Sequence, residues 1–228
     1  MKLKLIMNKI PVYFMPGLAA STTIFERIKL PEAEFEVVFL EWNIPFEKEL
    51  LSDYAKRMTE KIKHEKPVLI GVSFGGILVQ EMASFVDVRK VIIISSVKSN
   101  LEFPRRMVIA KNTKAYKLIP ISLVQNIESL AKFSFGKKVN QRLKLYEKFL
   151  SVRDKDYLDW AIEQVILWGR TIEDRNVIHI HGDEDDVFPI KYIKKCIVVQ
   201  GGTHVMILNK YKWFNANLPQ IILEESVV

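Results

Sequence analysis

Val68-Leu69-Ile70-Gly71-Val72-Ser73-Phe74-Gly75-Gly76 is the stretch that decides the fold. An apolar, β-branched run ends in Gly-x-Ser-x-Gly, and a helix-compatible segment, Ile77-Leu78-Val79-Gln80-Glu81-Met82-Ala83, follows at once. A serine at such a junction sits on a sharp strand-to-helix turn, with its hydroxyl directed away from the backbone. Gly71 and Gly75 leave room where strand and helix pack closely, and the backbone N–H of Phe74, at the helix N-terminus, is placed to stabilise an oxyanion. Five positions with three fixed arise by chance. The strand before the serine and the helix after it therefore carry the weight of the pattern.

Outward from this stretch, strand-like and helix-like runs alternate. Upstream, Ile10-Pro11-Val12-Tyr13-Phe14-Met15 reads as a central strand that ends in Pro16-Gly17 and a tight loop, where Ser21 or Thr22 can cap the next turn. Residues 35–40 read as a second strand, and 50–63 have helical periodicity, with Leu51, Tyr54, Ala55, Met58 and Ile62 on one side. Downstream, Val91-Ile92-Ile93-Ile94 is a continuous apolar run of the kind found in parallel strands covered on both faces. Between 101 and 175 the strand signal stops. Helices are expected at 122–133, at 140–150 and most clearly at 156–168, with Asp154 or Asp156 as cap and Gly169 as stop. Strands resume at 177–181 and 197–200, and a last helix is expected over 205–217. Strands alternating with helices imply right-handed crossovers and a mostly parallel sheet. The expected organisation is an α/β core of residues 1–100 and 176–228, with 101–175 inserted as a helical cap over the carboxyl ends of the strands.

The 228 residues suit one such domain, and 49% hydrophobic with 27% charged residues indicates a globular chain. Cys196 is the single cysteine, so no internal disulfide can form, and a reducing, cytoplasmic location is expected. Asn8 and Lys9 interrupt the apolar N-terminal run, which makes a poor signal-peptide core, and no segment is long and apolar enough to span a bilayer. The net charge of +7 is concentrated: residues 101–150 hold eleven Lys/Arg against Glu102, Glu128 and Glu147. This reads as solvated helix faces or as an anion-attracting surface. No recognisable nucleic-acid-binding module accompanies the basic residues, and no nucleic-acid partner is expected.

Two further stretches carry chemistry. His181-Gly182-Asp183-Glu184-Asp185-Asp186-Val187-Phe188-Pro189 follows an apolar strand and would bring a carboxylate to the same sheet edge as Ser73, although four acids compete for that place. The acids lack the regular spacing and later glutamate of a calcium loop, and no metal is expected. Gly201-Gly202-Thr203-His204 follows the last strand, and its glycines can deliver an imidazole to that edge. Of the other histidines, His64 reads as surface, His179 as a packed or hydrogen-bonded core residue, and His181 as a structural residue closing its strand. Serine, acid and histidine in this chain order are what acyl chemistry on such a sheet requires. The imidazole takes the serine proton and returns it to the leaving group, and the carboxylate fixes the tautomer and stabilises the imidazolium. A second oxyanion donor is expected from the Leu18 N–H, in the loop after the first strand.

Taken together, these residues resemble the α/β-hydrolase superfamily, and specifically its small bacterial members with a helical cap. Gly71-Val72-Ser73-Phe74-Gly75 resembles the nucleophile elbow, and Gly202-Thr203-His204 the Gly-x-His that carries the base. The stretch from His181 to Pro189 is similar to the family's His-Gly-x-x-Asp…Pro acid turn, a resemblance that implies Asp185 as the catalytic acid. Phe14-Met15-Pro16-Gly17-Leu18 is similar to the family's oxyanion loop, with Pro16 where histidine is common and a backbone donor at Leu18. The run from Trp160 to Trp168 resembles a last cap helix, and the short N-terminus implies a sheet shortened at that edge.

The expected activity is a cofactor-independent serine hydrolase of an ester or thioester, with Ser73, Asp185 and His204 catalytic and Leu18 and Phe74 as oxyanion donors. The alternatives are an acyltransferase or cofactor-free lyase on the same triad, and a non-catalytic ligand-binding protein. The expected partner is a small-molecule acyl substrate. A narrower version gives it an anion, drawn by Arg105 and Arg106, beside an acyl chain packed on Met107, Val108, Ile109, Tyr116, Leu118 and Ile119.

Overall fold

The architecture is that of a computed structural model, in which residues 9–114, 116 and 148–224 are described. The expected helices at 122–133 and 140–150, Leu118 and Ile119, and the basic residues from Lys117 to Lys144 lie wholly or mostly outside the described residues.

Six strands form one sheet: β1 (Ile10–Met15), β2 (Phe35–Phe39), β3 (Val68–Val72), β4 (Lys90–Ile94), β5 (Val177–Gly182) and β6 (Ile197–Val199). Their order is β2-β1-β3-β4-β5-β6, and every adjacent pair is parallel. The sequence explains which strands are central. Every residue of β3 and β4 is buried, as both faces of an inner parallel strand must be. On the two edge strands, Val37 and Phe39 of β2 and Ile197 and Val198 of β6 stay partly exposed.

The chain leaves β1 toward one edge and leaves β3 toward the other. The crevice beyond the carboxyl ends of β1 and β3 is therefore a topological switch point, where ligands bind in open α/β sheets. Helices α1 (Leu51–Thr59) and α2 (Phe74–Met82) pack against each other. α1 buries Leu51, Tyr54, Ala55 and Met58, the stripe read from its periodicity, but stops after Thr59 rather than at 63.

The β4–β5 connection carries α3 (Arg105–Thr113) and α4 (Lys155–Leu167). α4 is capped as expected, with the Asp154 carboxylate accepting from Tyr157 N–H at 2.9 Å. Gly169 is not its stop: the chain already turns extended at Trp168, and Gly169 has no left-handed φ. The expected last helix over 205–217 is two helices, α5 (Met206–Asn209) and α6 (Tyr211–Leu223), broken at Lys210 and continuing past Pro219. Ser21 precedes a 3-10 turn at Thr22–Phe25, but its hydroxyl meets Thr23 Oγ1 instead of capping the turn. No helix among the described residues is long and apolar enough to cross a membrane.

Candidate active site

The turn between β3 and α2 is tighter than any residue but glycine allows. A Cβ on Gly71 would lie 2.2 Å from Gly75 O, and one on Gly75 would lie 2.4 Å from Pro16 O. Backbone thus packs directly on backbone, and the start of α2 touches the end of β1. Ser73 itself takes φ 52° and ψ −119°, a sparsely populated region for a residue with a Cβ, which directs its side chain out of the turn. It is half-exposed, while Val72 and Phe74 on either side are buried. Ile94 O accepts from Ser73 N–H at 2.9 Å, and Ser73 O accepts from the Ser96 hydroxyl at 2.8 Å, so the strained residue is held by β4 and the segment after it.

Three side chains converge here from three strand ends. Ser73 Oγ lies 2.9 Å from His204 Nε2, and His204 Nδ1 lies 2.8 Å from Asp185 Oδ2. A carboxylate only accepts, so Nδ1 carries the imidazole proton and Nε2 is left to accept from the Ser73 hydroxyl. Asp185 and His204 are 4% and 3% exposed. The hydroxyl can be reached from outside, and the two groups behind it are shielded. Of the four competing acids, Asp185 is the one whose carboxylate meets His204. Glu184 is exposed, and Asp183 and Asp186 are half-buried.

Asp185 is fixed by its own turn. Its Oδ1 accepts from Val187 N–H at 2.9 Å and from Phe188 N–H at 2.8 Å. His181 lies beneath, with Nε2 2.8 Å from Phe188 O and 3.6 Å from Asp185 Oδ2, the latter too long for a hydrogen bond. The Phe188 carbonyl requires a proton on His181 Nε2. Nδ1 is then bare and accepts from His179 Nε2–H at 3.0 Å. His179 Nδ1 has no partner among the described residues. Burial favours the neutral form of both rings. Burial, then the neighbouring His181 ring and the Lys98 charge, push His179 well below its ordinary 6.5, and burial also lowers His181 against the opposing pull of Asp185. The acid turn meets the base loop without side chains between them, since a Cβ on Gly182 would lie 2.1 Å from Gly202 O.

The opposite wall is the loop after β1. Gly17 lies against the serine: a Cβ there would be 3.4 Å from Ser73 Cβ. Leu18 is 6% exposed, and its N–H makes no hydrogen bond to another described residue. Phe74 N–H, the first of α2, has no partner within the helix. Ala19 takes a left-handed φ of 62°, and its N–H donates to the hydroxyl of fully buried Tyr157 on α4 at 3.3 Å. Trp42, beyond β2, donates through Nε1 to Gly17 O at 3.0 Å. Neither Tyr157 nor Trp42 is marked by a motif. A tryptophan just past the carboxyl end of a strand beside the switch point is the signal that could have singled out Trp42.

Other expectations shift. Val108 and Ile109 are 43% and 60% exposed, whereas Met107 and Tyr116 are half-buried and pack against the core. Arg106 lies against the acid turn, its Nη2 donating to Asp186 O at 2.8 Å and Val187 O at 2.7 Å. His64 is no free surface ring, since its Nδ1 meets Tyr13 OH at 2.7 Å. Among the described residues, no group of His, Cys, Asp and Glu has the makings of a metal site.

No protein-family model matches the sequence, and no curated protein matches it. Solved structures do. An enol-lactonase from Burkholderia xenovorans superposes with a TM-score of 0.72 at 12% identity, over 95% of this chain and 92% of the other. A thermophilic esterase from Thermogutta terrifontis gives 0.68 at 13% identity, over 93% and 89%. A bromoperoxidase from Bacillus anthracis gives 0.68 at 18% identity, over 96% and 93%. The chain has the α/β-hydrolase fold. On that fold, the loops after β1, β3, β5 and β6 surround the switch point, and they are the loops that hold Leu18, Ser73, Asp185 and His204.

Proposed function

We propose that this α/β-hydrolase-fold protein is a serine hydrolase of carboxylic esters or thioesters. The observation that carries the reading is the hydrogen-bonded chain Ser73–His204–Asp185, with links of 2.9 and 2.8 Å. Esterases and an enol-lactonase among the structures of similar fold are consistent with it.

Ser73 Oγ attacks the acyl carbon while its proton passes to His204 Nε2. The tetrahedral oxyanion lies against the N–H groups of Leu18 and Phe74. As the intermediate collapses, the imidazolium protonates the departing alkoxide or thiolate and leaves an acyl-Ser73 ester. Water, deprotonated by His204, attacks this ester, and a second collapse returns the proton to Ser73 with release of the acid. Asp185 holds the Nδ1 proton throughout and stabilises the imidazolium. Residues 101–175 serve as the cap over this site, and the substrate is a small acyl compound.

A fluorophosphonate probe tests the reading. The wild-type chain labels and cleaves short p-nitrophenyl esters, and both signals vanish in Ser73→Ala. Intact protein that neither labels nor turns over overturns the proposal.

A further inference from the structure

Leu18 N–H and Gly17 C=O belong to the same peptide unit. That unit is planar and, like every peptide bond among the described residues, not cis, so its N–H points opposite to its C=O. Whatever fixes the Gly17 carbonyl therefore fixes the direction of the Leu18 N–H. Two donors hold that carbonyl: Ala20 N–H at 3.1 Å, within the loop, and Trp42 Nε1–H at 3.0 Å, from beyond β2. The Trp42 ring also stacks on Phe74, with centroids 5.0 Å apart and planes 9° from parallel. Phe74 bears the second N–H assigned to the oxyanion. One side chain thus touches both halves of the hole. It also packs beside Tyr54 and Tyr157, whose hydroxyl anchors the next peptide through Ala19 N–H.

We propose that Trp42 is a positioning residue of the oxyanion hole. It aims the Leu18 N–H through the Gly17 carbonyl and braces the Phe74 end through its ring. The hydrogen bond has an electronic effect as well. A donor on a peptide oxygen polarises the unit and strengthens its N–H as a donor, and in a shielded site such bonds reinforce one another. Trp42 supplies, from a distant part of the chain, a second hold on the Gly17 carbonyl beside the one that Ala20 makes within the loop. The inference rests on the hydrolase reading above, because it assigns Trp42 no contact with substrate.

The test compares wild type with Trp42→Phe, and with residue 42 replaced by β-(1-benzothiophen-3-yl)alanine, which keeps the ring's shape and puts sulfur in place of N–H. Hydrolysis of a p-nitrophenyl ester gives kcat and KM, and a trifluoromethyl ketone of the same acyl group reports binding of the tetrahedral oxyanion. Both variants lower kcat and weaken the ketone together, on the order of tenfold, a fraction of the loss from deleting an oxyanion donor outright, while KM stays within about twofold. If Trp42→Phe does not fold, the sulfur analogue decides alone. Variants that keep kcat within about twofold of wild type, or that raise KM with kcat unchanged, overturn the positioning role and leave the hydrolase reading standing. A wild-type chain that neither labels with fluorophosphonate nor turns over overturns the hydrolase reading, and this inference with it.

Discussion

The two walls of the site are built in opposite ways. On the acid wall, every hold on Asp185 Oδ1 and on His181 comes from β5 or the turn that follows it: Val187, Phe188 and His179 are all within seven residues of their partners. On the oxyanion wall, residues 17–21 are held mostly by distant parts of the chain. Trp42 reaches Gly17, Tyr157 reaches Ala19, Ser21 N–H donates to Phe149 O, and Val152 N–H donates to Ala19 O. The acid wall folds mainly from its own neighbours, with Arg106 of α3 as a long-range hold on Asp186 and Val187. A wall held by the β4–β5 connection is complete only when that connection has docked. Asp185 placement is therefore the more local half of the site, and the loop after β1 is the half that depends most on parts of the chain far from Ser73.

The sharpest way to break this contrast is on the acid wall. Asp185→Asn keeps the shape of the turn but presents an amide to His204 and favours the wrong tautomer, and kcat falls roughly 10⁴-fold with the protein still folded. Ester turnover alongside an unchanged circular dichroism spectrum checks this. Gly182→Ala attacks the same wall through its backbone. Its Cβ would meet Gly202 O at 2.1 Å, where no flexible side chain can yield. The expected cost is about 3 kcal/mol, read as a lowered urea midpoint.

On the oxyanion wall a smaller change suffices. Tyr157→Phe leaves Ala19 N–H buried without its acceptor, at about 1–3 kcal/mol. Because that N–H lies one peptide beyond the Leu18 donor, kcat drops about threefold to tenfold while KM holds. An unchanged kcat would show that α4 does not steer the loop.

The smallest effect is on stability against pH. The folded state lowers the affinity of His179 and His181 for protons relative to the unfolded value of 6.5. Their contribution is therefore present above about pH 6.5, and it is lost as the pH falls toward the folded values, because the unfolded chain takes up protons first. The melting temperature of wild type falls between about pH 7 and about pH 5, and the fall is shallower in His179→Leu, whatever that variant's absolute stability. Parallel curves for the two proteins would remove the pair from the acid response.

How much of this was legible varied with the same locality. The strands at 10–15 and 68–72 were readable to the residue, because inner parallel strands are unbroken apolar runs and both ran into glycine punctuation. The break at Lys210 and the early end of α1 were not, since helix ends depend on packing. Ser73 and His204 stood out through their glycines. Asp185 could be chosen from four acids only by resemblance, because a turn of consecutive carboxylates has no internal feature that says which one faces inward. The contacts of Arg106 with Asp186 O and Val187 O were not legible either, because they join positions 80 and 81 residues apart.

By itself, the sequence determined the parallel sheet, the glycine-pinched elbow and the order of serine, acid and histidine. Those features rest on hydrophobic runs and on short-range contacts between neighbours in the chain. Only the tertiary structure decided which carboxylate meets the imidazole, that two buried histidines pack beneath its turn, and that Trp42 and Tyr157 fasten the loop opposite. These contacts join residues separated by 19 to 138 positions, or turn on which way a ring faces, and no local pattern encodes either.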